Sequence, residues 1–205
     1  MIHVRLEREG GEYTRRHPFV ERALASSGAI SQRVPPHFVQ VLRGRQIKNF
    51  IDDQAERAET EVLIFTKSAE DQSAKSMEGA ARSEIGMIER GVRVRCIYEP
   101  AVLKNPEVIP ILKRLLAAGE NSRVVPSVPM NMMIFDARAA MFSLTELGGG
   151  LTVFAFTHPD LVQLMKNSFE HSWEMGRSLR QAIRKEAGKK PRRAELAGSK
   201  KEEQQ

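Results

Sequence analysis

Cysteine is almost absent from this 205-residue chain, which holds one, Cys96. A lone cysteine cannot close an internal disulfide. Cys96 lies in an apolar-alternating run and reads as a buried, unreactive thiol, which favours the cytoplasm as the compartment. Aromatic residues are 6% of the chain and sit mostly at core-like positions, so no sugar-stacking set stands out. No apolar run approaches the ~18 residues that span a bilayer, so no membrane partner is expected. The start, Met1-Ile2-His3-Val4-Arg5-Leu6-Glu7, is not a signal peptide. The five histidines, His3, His17, His37, His158 and His171, are scattered. None falls at zinc-ligand spacing with Cys or a carboxylate. There is no Gly-x-Gly-x-x-Gly, no phosphate-loop lysine, and no Ser, His and Asp spacing that argues a triad. The sequence therefore assigns no catalytic residue, no metal and no cofactor.

Hydrophobic residues make up 41% of the chain, enough for a real core. The formal charge of +6 is uneven: residues 176–205 hold ten Lys/Arg against four Asp/Glu, and residues 1–45 eight Arg against four Glu. The middle is mildly acidic. Two basic ends suit a polyanionic partner such as DNA.

Periodicity divides the chain. Ile2, Val4 and Leu6 alternate ahead of Gly10-Gly11, so residues 2–16 read as a basic hairpin with Arg5, Arg8, Arg15 and Arg16 outward. Breakers follow to Pro35-Pro36, making 1–35 a hairpin and linker. Phe38, Val41, Leu42, Ile47, Phe50, Ile51, Ala55 and Ala58 fall near helical spacing, which predicts a connecting helix over 36–58. Residues 61–66, 92–98, 122–125 and 151–156 read as strands, and 73–89 and 106–118 as helices. Arg93 and Arg95 alternate on the second strand, so one of its faces is expected to be wet, or the strand an edge. A last helix from Pro159 is expected to run to about Arg184, with Leu161, Leu164, Met165, Phe169, Trp173 and Met175 or Gly176 inward. His171 reads as half-buried packing. The tail, 186–205, is rich in Lys, Glu, Gln and Gly and reads as disordered. The class is α/β, a mixed sheet flanked by helices over 59–185.

The most informative stretch is 129–143. Met132 to Phe135 and Ala139 to Phe142 are apolar, split by Asp136-Ala137-Arg138, which predicts a hairpin in a buried sheet. This frame resembles the His-x-Lys-x-x-x-x-Asp motif of phospholipase D-like phosphodiesterases. With Asp136 at the Asp, Pro129 stands at the His and Asn131 at the Lys. Proline has no lone pair with which to attack phosphorus, and Asn131 carries no charge. Residues 36–176 also resemble the C-terminal domain of TrmB-type transcription regulators. The stretches that carry this are Gly91 to Tyr98, Ala118-Gly119, Met133 to Arg138, and Phe169-Glu170-His171-Ser172-Trp173-Glu174.

The resemblance implies a phospholipase D-like half-domain that has lost catalysis and serves effector sensing and homodimerisation. The effector would be a small molecule, as sugars are for some members. It also implies a winged helix-turn-helix ahead of the connecting helix. Only a wing-like hairpin is present, so the recognition helix is expected upstream of Met1, and Arg5, Arg8, Arg15 and Arg16 become candidate DNA contacts. Ligands of open α/β sheets favour the carboxyl ends of strands, which nominates Lys67, Tyr98 and Glu99, with Asn131 and Asp136 from the motif frame. Asp136 also reads as a turn residue capping nearby amides. Two other readings stand beside the regulator. One is a divergent phosphodiesterase or nuclease using His158 or His171. The other is an adaptor that does not bind DNA.

Overall fold

The computed structural model describes residues 6–8, 11–13, 38–67, 74–145 and 151–188. The chain forms two compact units, Met1–Pro36 and His37–Gln205. In the first, β1 (Leu6–Arg8) and β2 (Gly11–Tyr13) pair antiparallel, with Leu6 opposite Tyr13. Gly11 pairs with Arg8 as the first residue of the second strand, so it does not sit in the turn. Arg5, Arg15, Arg16 and the segment 189–205 lie outside the described residues.

The second unit is built on β3 (Val39–Leu42), α1 (Arg45–Arg57), β4 (Glu61–Thr66), α2 (Ala74–Glu89), β5 (Arg93–Tyr98), α3 (Val108–Ala118) and β6 (Asn121–Val124). It continues with β7 (Asn131–Phe135), β8 (Ala139–Thr145), β9 (Leu151–Phe156), α4 (Pro159–Met175), β10 (Arg177–Ser178) and a further helix, α5, over 179–188. The strands make one mixed sheet in the order β10-β6-β5-β4-β7-β8-β9-β3. β4, β5 and β6 run parallel and the other pairings are antiparallel. Helices α1, α2, α3 and α5 cover one face, where Val62, Ile64, Val94, Cys96 and Phe135 meet Met87, Leu112, Leu115 and Leu179. Helix α4 covers part of the other, where Leu63, Phe65, Ile97 and Ile134 meet Val162 and Phe169. β4 is buried from Glu61 to Phe65, as expected of a central strand helix-covered on both sides. Each large apolar side chain sealed there contributes about 1.5–3 kcal/mol.

Three expectations need correction. The first half of the connecting helix is instead strand β3, paired along β9 from Val39↔Phe156 to Leu42↔Val153. The β-branched Val39 and Val41 favour that conformation, and Gly44, at φ 53, makes the break before α1. Nor is β5 an edge, since it lies between β4 and β6. The face of its arginines is wet at Arg93, whose side chain is 76% exposed, while α4 covers Arg95, at 20%. Finally, the last helix does not run unbroken. α4 stops at Gly176, whose N–H bonds Trp173 O and where a Cβ would stand 2.9 Å from Arg123 Cβ. The Arg123 guanidinium donates to the Trp173 and Gly176 carbonyls and stacks 4.7 Å over the Trp173 ring. The chain then pairs with β6 as β10 and re-enters helix on the opposite face. Leu161, Leu164 and Met175, expected inward, are exposed at 37%, 65% and 63%. His171 is exposed too, and α5 stays helical to 188.

Candidate functional site

Four of the nominated residues stand at the carboxyl ends of β4 and β5 or facing them, and two of the four touch. The Lys67 amide donates to Asn131 Oδ1 at 2.7 Å, and Lys67 Nζ reaches the Pro129 carbonyl at 3.4 Å. The Val128 amide donates to Glu99 Oε1 at 2.8 Å. These bonds staple the segment before β7 to the strand ends. The position that would hold a nucleophile is thus occupied by proline, with its carbonyl engaged by a lysine. Tyr98 is 1% exposed and turns its hydroxyl to Glu120 Oε1 at 3.1 Å.

Asp136 belongs to the other end of the sheet. It sits in a three-residue connection with Asp136 and Ala137 both left-handed. Its carboxylate accepts the Glu59, Thr60 and Glu61 amides, the Thr60 hydroxyl and an Arg138 N–H, all at 2.7–3.0 Å. Burial works against the charge. The amide and hydroxyl bonds from Glu61, Thr60 and Glu59 outweigh it and hold the carboxyl well below the usual carboxylate range. Asp136 is therefore a clamp between the β7–β8 turn and the start of β4.

His158 caps α4, its Nδ1 accepting from the Asp160 amide, and meets Phe38 edge-on. Cys96 is 1% exposed, and burial pushes its thiol up. Among the described residues no group of three or more His, Cys, Asp or Glu is placed to hold a metal ion. None of the helices there is long and apolar enough to cross a membrane.

Two features escaped the sequence reading. One is a groove of about 1110 Å³ between α1, α2 and the sheet, open beside Asn131 and Thr66. Ile47 and Ile51 line it from α1, Met77 and Met87 from α2, Met133 and Met141 from the sheet, and Glu84 and Tyr98 at depth. Glu84 is 9% exposed and Glu120 3%, and neither Oε2 has a hydrogen-bond partner of ordinary geometry among the described residues. Burial first, then the nearby Glu120, pushes the Glu84 carboxyl well up. A signal was present: Glu84 stands seven residues from Met77 and three from Ala81, within an otherwise apolar stripe of α2.

The other is a charged cluster under α4. Glu61, 7% exposed, is bound by Lys166 and lies 3.4 Å from Arg95, which forks onto Glu170 at 2.5 and 2.9 Å. The fork raises the Arg95 pKa and lowers that of Glu170.

The raised Glu84 pKa has a measurable sign. A carboxyl that holds its proton more tightly when folded contributes stability fully below the unfolded value of about 4.3, and loses it as pH rises toward the folded one. Glu84→Gln should raise the unfolding free energy by about 1–2 kcal/mol at pH 8 and lose that advantage below pH ~4. Urea unfolding at the two pH values reads the difference.

No protein-family model matches the chain. Over 124 residues it is 26% identical to the bialaphos biosynthetic pathway regulatory protein of Streptomyces hygroscopicus, covering 60% of this chain and 48% of that one. The chain thus spans about half the length of the curated relative it matches. Among solved structures it resembles TrmBL2, described as an archaeal chromatin protein with a novel mode of DNA binding. The TM-score is 0.58 at 18% identity, covering 79% of this chain and 61% of that one. It resembles Nuc of Salmonella typhimurium, a phospholipase D family member, with a TM-score of 0.53 at 16% identity over 68% and 96%. The mixed sheet and its helical layers therefore have the phospholipase D-like fold, common to a DNA-binding chromatin protein and a phospholipase D family member, with Pro129 and Asn131 at the motif positions where His and Lys are expected.

Proposed function

We propose that this chain is a non-catalytic, effector-sensing and dimerising domain of a TrmB-type transcription regulator. The observation that carries this reading is the state of the motif end. Pro129 stands at the nucleophile's motif position, the Lys67 amide donates to Asn131 Oδ1, and Lys67 Nζ donates to the Pro129 carbonyl. Losing a nucleophile removes the covalent step outright. The regulatory relative and the chromatin protein support the direction.

In this reading DNA is the macromolecular partner, with Arg5, Arg8, Arg15 and Arg16 meeting phosphates. A small-molecule effector enters at the strand ends, where Lys67, Tyr98, Glu99 and Asn131 gather. A second copy docks on the sheet face that α4 leaves open. There Val41, Phe154 and Phe142 form one cross-strand row, and Val39 and Phe156 start the next. Val39, Val41 and Leu144 are 45–51% exposed, and Phe142 stacks on Phe154 and Phe156. An apolar patch of this kind marks an association surface.

The deciding assay is hydrolysis of bis(p-nitrophenyl) phosphate by the purified chain. The expected rate equals the protein-free rate. Turnover that co-purifies with the chain sinks the proposal in favour of a phosphodiesterase. Sedimentation gives the second arm: a dimer for the chain and a monomer for Val41→Glu.

A further inference from the structure

Several exposed cations of the second unit are answered by an acid. Lys48 pairs with Asp52, Arg57 with Asp53, Arg114 with Glu78 and Arg138 with Asp136. The outer face of α3 and α5 breaks that pattern. Lys113 of α3 and Arg180, Arg184 and Lys185 of α5 are all exposed. Arg180 donates to the Leu116 carbonyl, which ties the two helices together. Lys113 stands three residues before Leu116, on the same side of α3. Arg180 and Arg184 are about one turn apart, and Lys185 flanks them. None of the four is in an ion pair among the described residues. Glu186 is the one acid of α5, and its spacing continues the inward stripe of Leu179, Ala182 and Ile183. Beyond α5 the sequence continues with Lys189-Lys190-Pro191-Arg192-Arg193.

We propose that this face of α3 and α5 binds the phosphate backbone of duplex DNA. Unanswered cations side by side fit a polyanion. A membrane surface would need an apolar helix face turned outward, and α5 turns Leu179, Ala182 and Ile183 into the core. Single strands are held by bases stacked on aromatic rings, and neither helix carries an aromatic residue. What remains is contact with phosphates, which holds a duplex without reading its sequence. The inference rests on the regulator reading for the identity of the polyanion, and it uses none of the residues assigned to DNA there. The face also lies on the opposite side of the sheet from the stacked rings of Phe142 and Phe154. A duplex and a second copy therefore do not compete for one surface.

The test uses the full chain, a labelled duplex of mixed sequence, the matching single strand, and phosphatidylglycerol vesicles. Duplex and single-strand binding are read by anisotropy between about 50 and 200 mM salt, and vesicle binding by co-sedimentation. Lys113→Gln, Arg184→Gln and Lys185→Gln combined remove three cations and leave Arg180 on its carbonyl. This combined variant should bind the duplex at least ten-fold more weakly at low salt. Its log–log salt slope should be shallower by about 2.7, at ~0.9 per phosphate contact. Its thermal melt should match that of the natural chain, since all three side chains are exposed. An unchanged slope overturns the proposal. So does a natural chain that ignores the duplex, or that binds the single strand or the vesicles more tightly. The regulator reading fails separately. If only replacing Arg5, Arg8, Arg15 and Arg16 by Gln weakens the duplex complex, this face falls and the regulator reading stands. If the combined variant weakens it in a chain that is monomeric and hydrolyses phosphodiesters, the face stands and the regulator reading falls.

Discussion

Asp136→Ala should lower the unfolding free energy by about 3–4 kcal/mol, which for a domain of this size is roughly 10 °C in Tm. The side chain is 5% exposed and gathers three consecutive backbone amides, Glu59, Thr60 and Glu61, with the Thr60 hydroxyl and Arg138. Hydrogen bonds to a charged group are worth about 1.5–3 kcal/mol each before water recovers part, and alanine orphans all of them at once. Alanine also disfavours the left-handed φ of 49°, which Asp tolerates. Asp136→Asn keeps that tolerance and one acceptor oxygen, and should cost about half as much. The pH dependence separates this clamp from a catalytic acid. A carboxyl depressed in the folded state contributes stability above the unfolded value of about 4, and loses it as pH falls toward the folded one. Thermal melts between pH 2 and 5 should fall more steeply for the natural chain than for Asp136→Ala. Equal slopes would mean that the carboxylate is not held as described.

The second large effect is expected at Arg95. Arg95→Ala should cost about 3–4 kcal/mol, measured by urea unfolding, because it strips a counter-charge from Glu61 while leaving that carboxylate buried beside Lys166. Breaking one partner of a buried ionic set typically costs 3–5 kcal/mol. The guanidinium also lies 5.3 Å from the Phe169 ring centroid and 5.2 Å from that of Trp173, contacts worth about 1 kcal/mol together. Arg95→Lys keeps the charge but not the fork onto Glu170, and should recover about half of the loss. Arg95→Met restores the packed volume without the charge. If it proves as stable as the natural chain, packing and not pairing holds α4 on the sheet. If Arg95→Met is instead destabilised, pairing it with Glu61→Gln should recover part of the loss, since no carboxylate is left buried.

The sheet strands were legible because β4 and β9 are short apolar runs bounded by breakers and β5 alternates, and such patterns have few alternatives. The hairpin of β7 and β8 was legible for the same reason, and the resemblance of its frame led to the phospholipase D-like fold. The missed segments failed for physical causes. Phe38 to Leu42 satisfies helical spacing as well as a strand's, and only the waiting edge of β9 decides between them. The helix from Pro159 keeps its periodicity through Gly176, and what interrupts it is Arg123, fifty residues earlier in sequence. Local pattern carries no trace of such a partner. Arg95 alternates as a solvent-facing residue would, because its counter-charge, Glu170, is on a distant helix. In the candidate site, the strand-end argument nominated Lys67 and the motif frame Asn131, and neither carried the contact between them. Asp136 was grouped with them by the motif frame alone, although β7 carries it to the far end of the sheet. The groove was invisible because its walls are ordinary core residues until α1 and α2 are placed side by side.

The sulfhydryl of Cys96 is sealed within the central strands. It is the sole thiol of the sequence, and an oxidant reaches it only when the sheet opens. Within these 205 residues, a disulfide between two copies cannot form while this domain is folded, and mild oxidants are expected to leave its fold untouched.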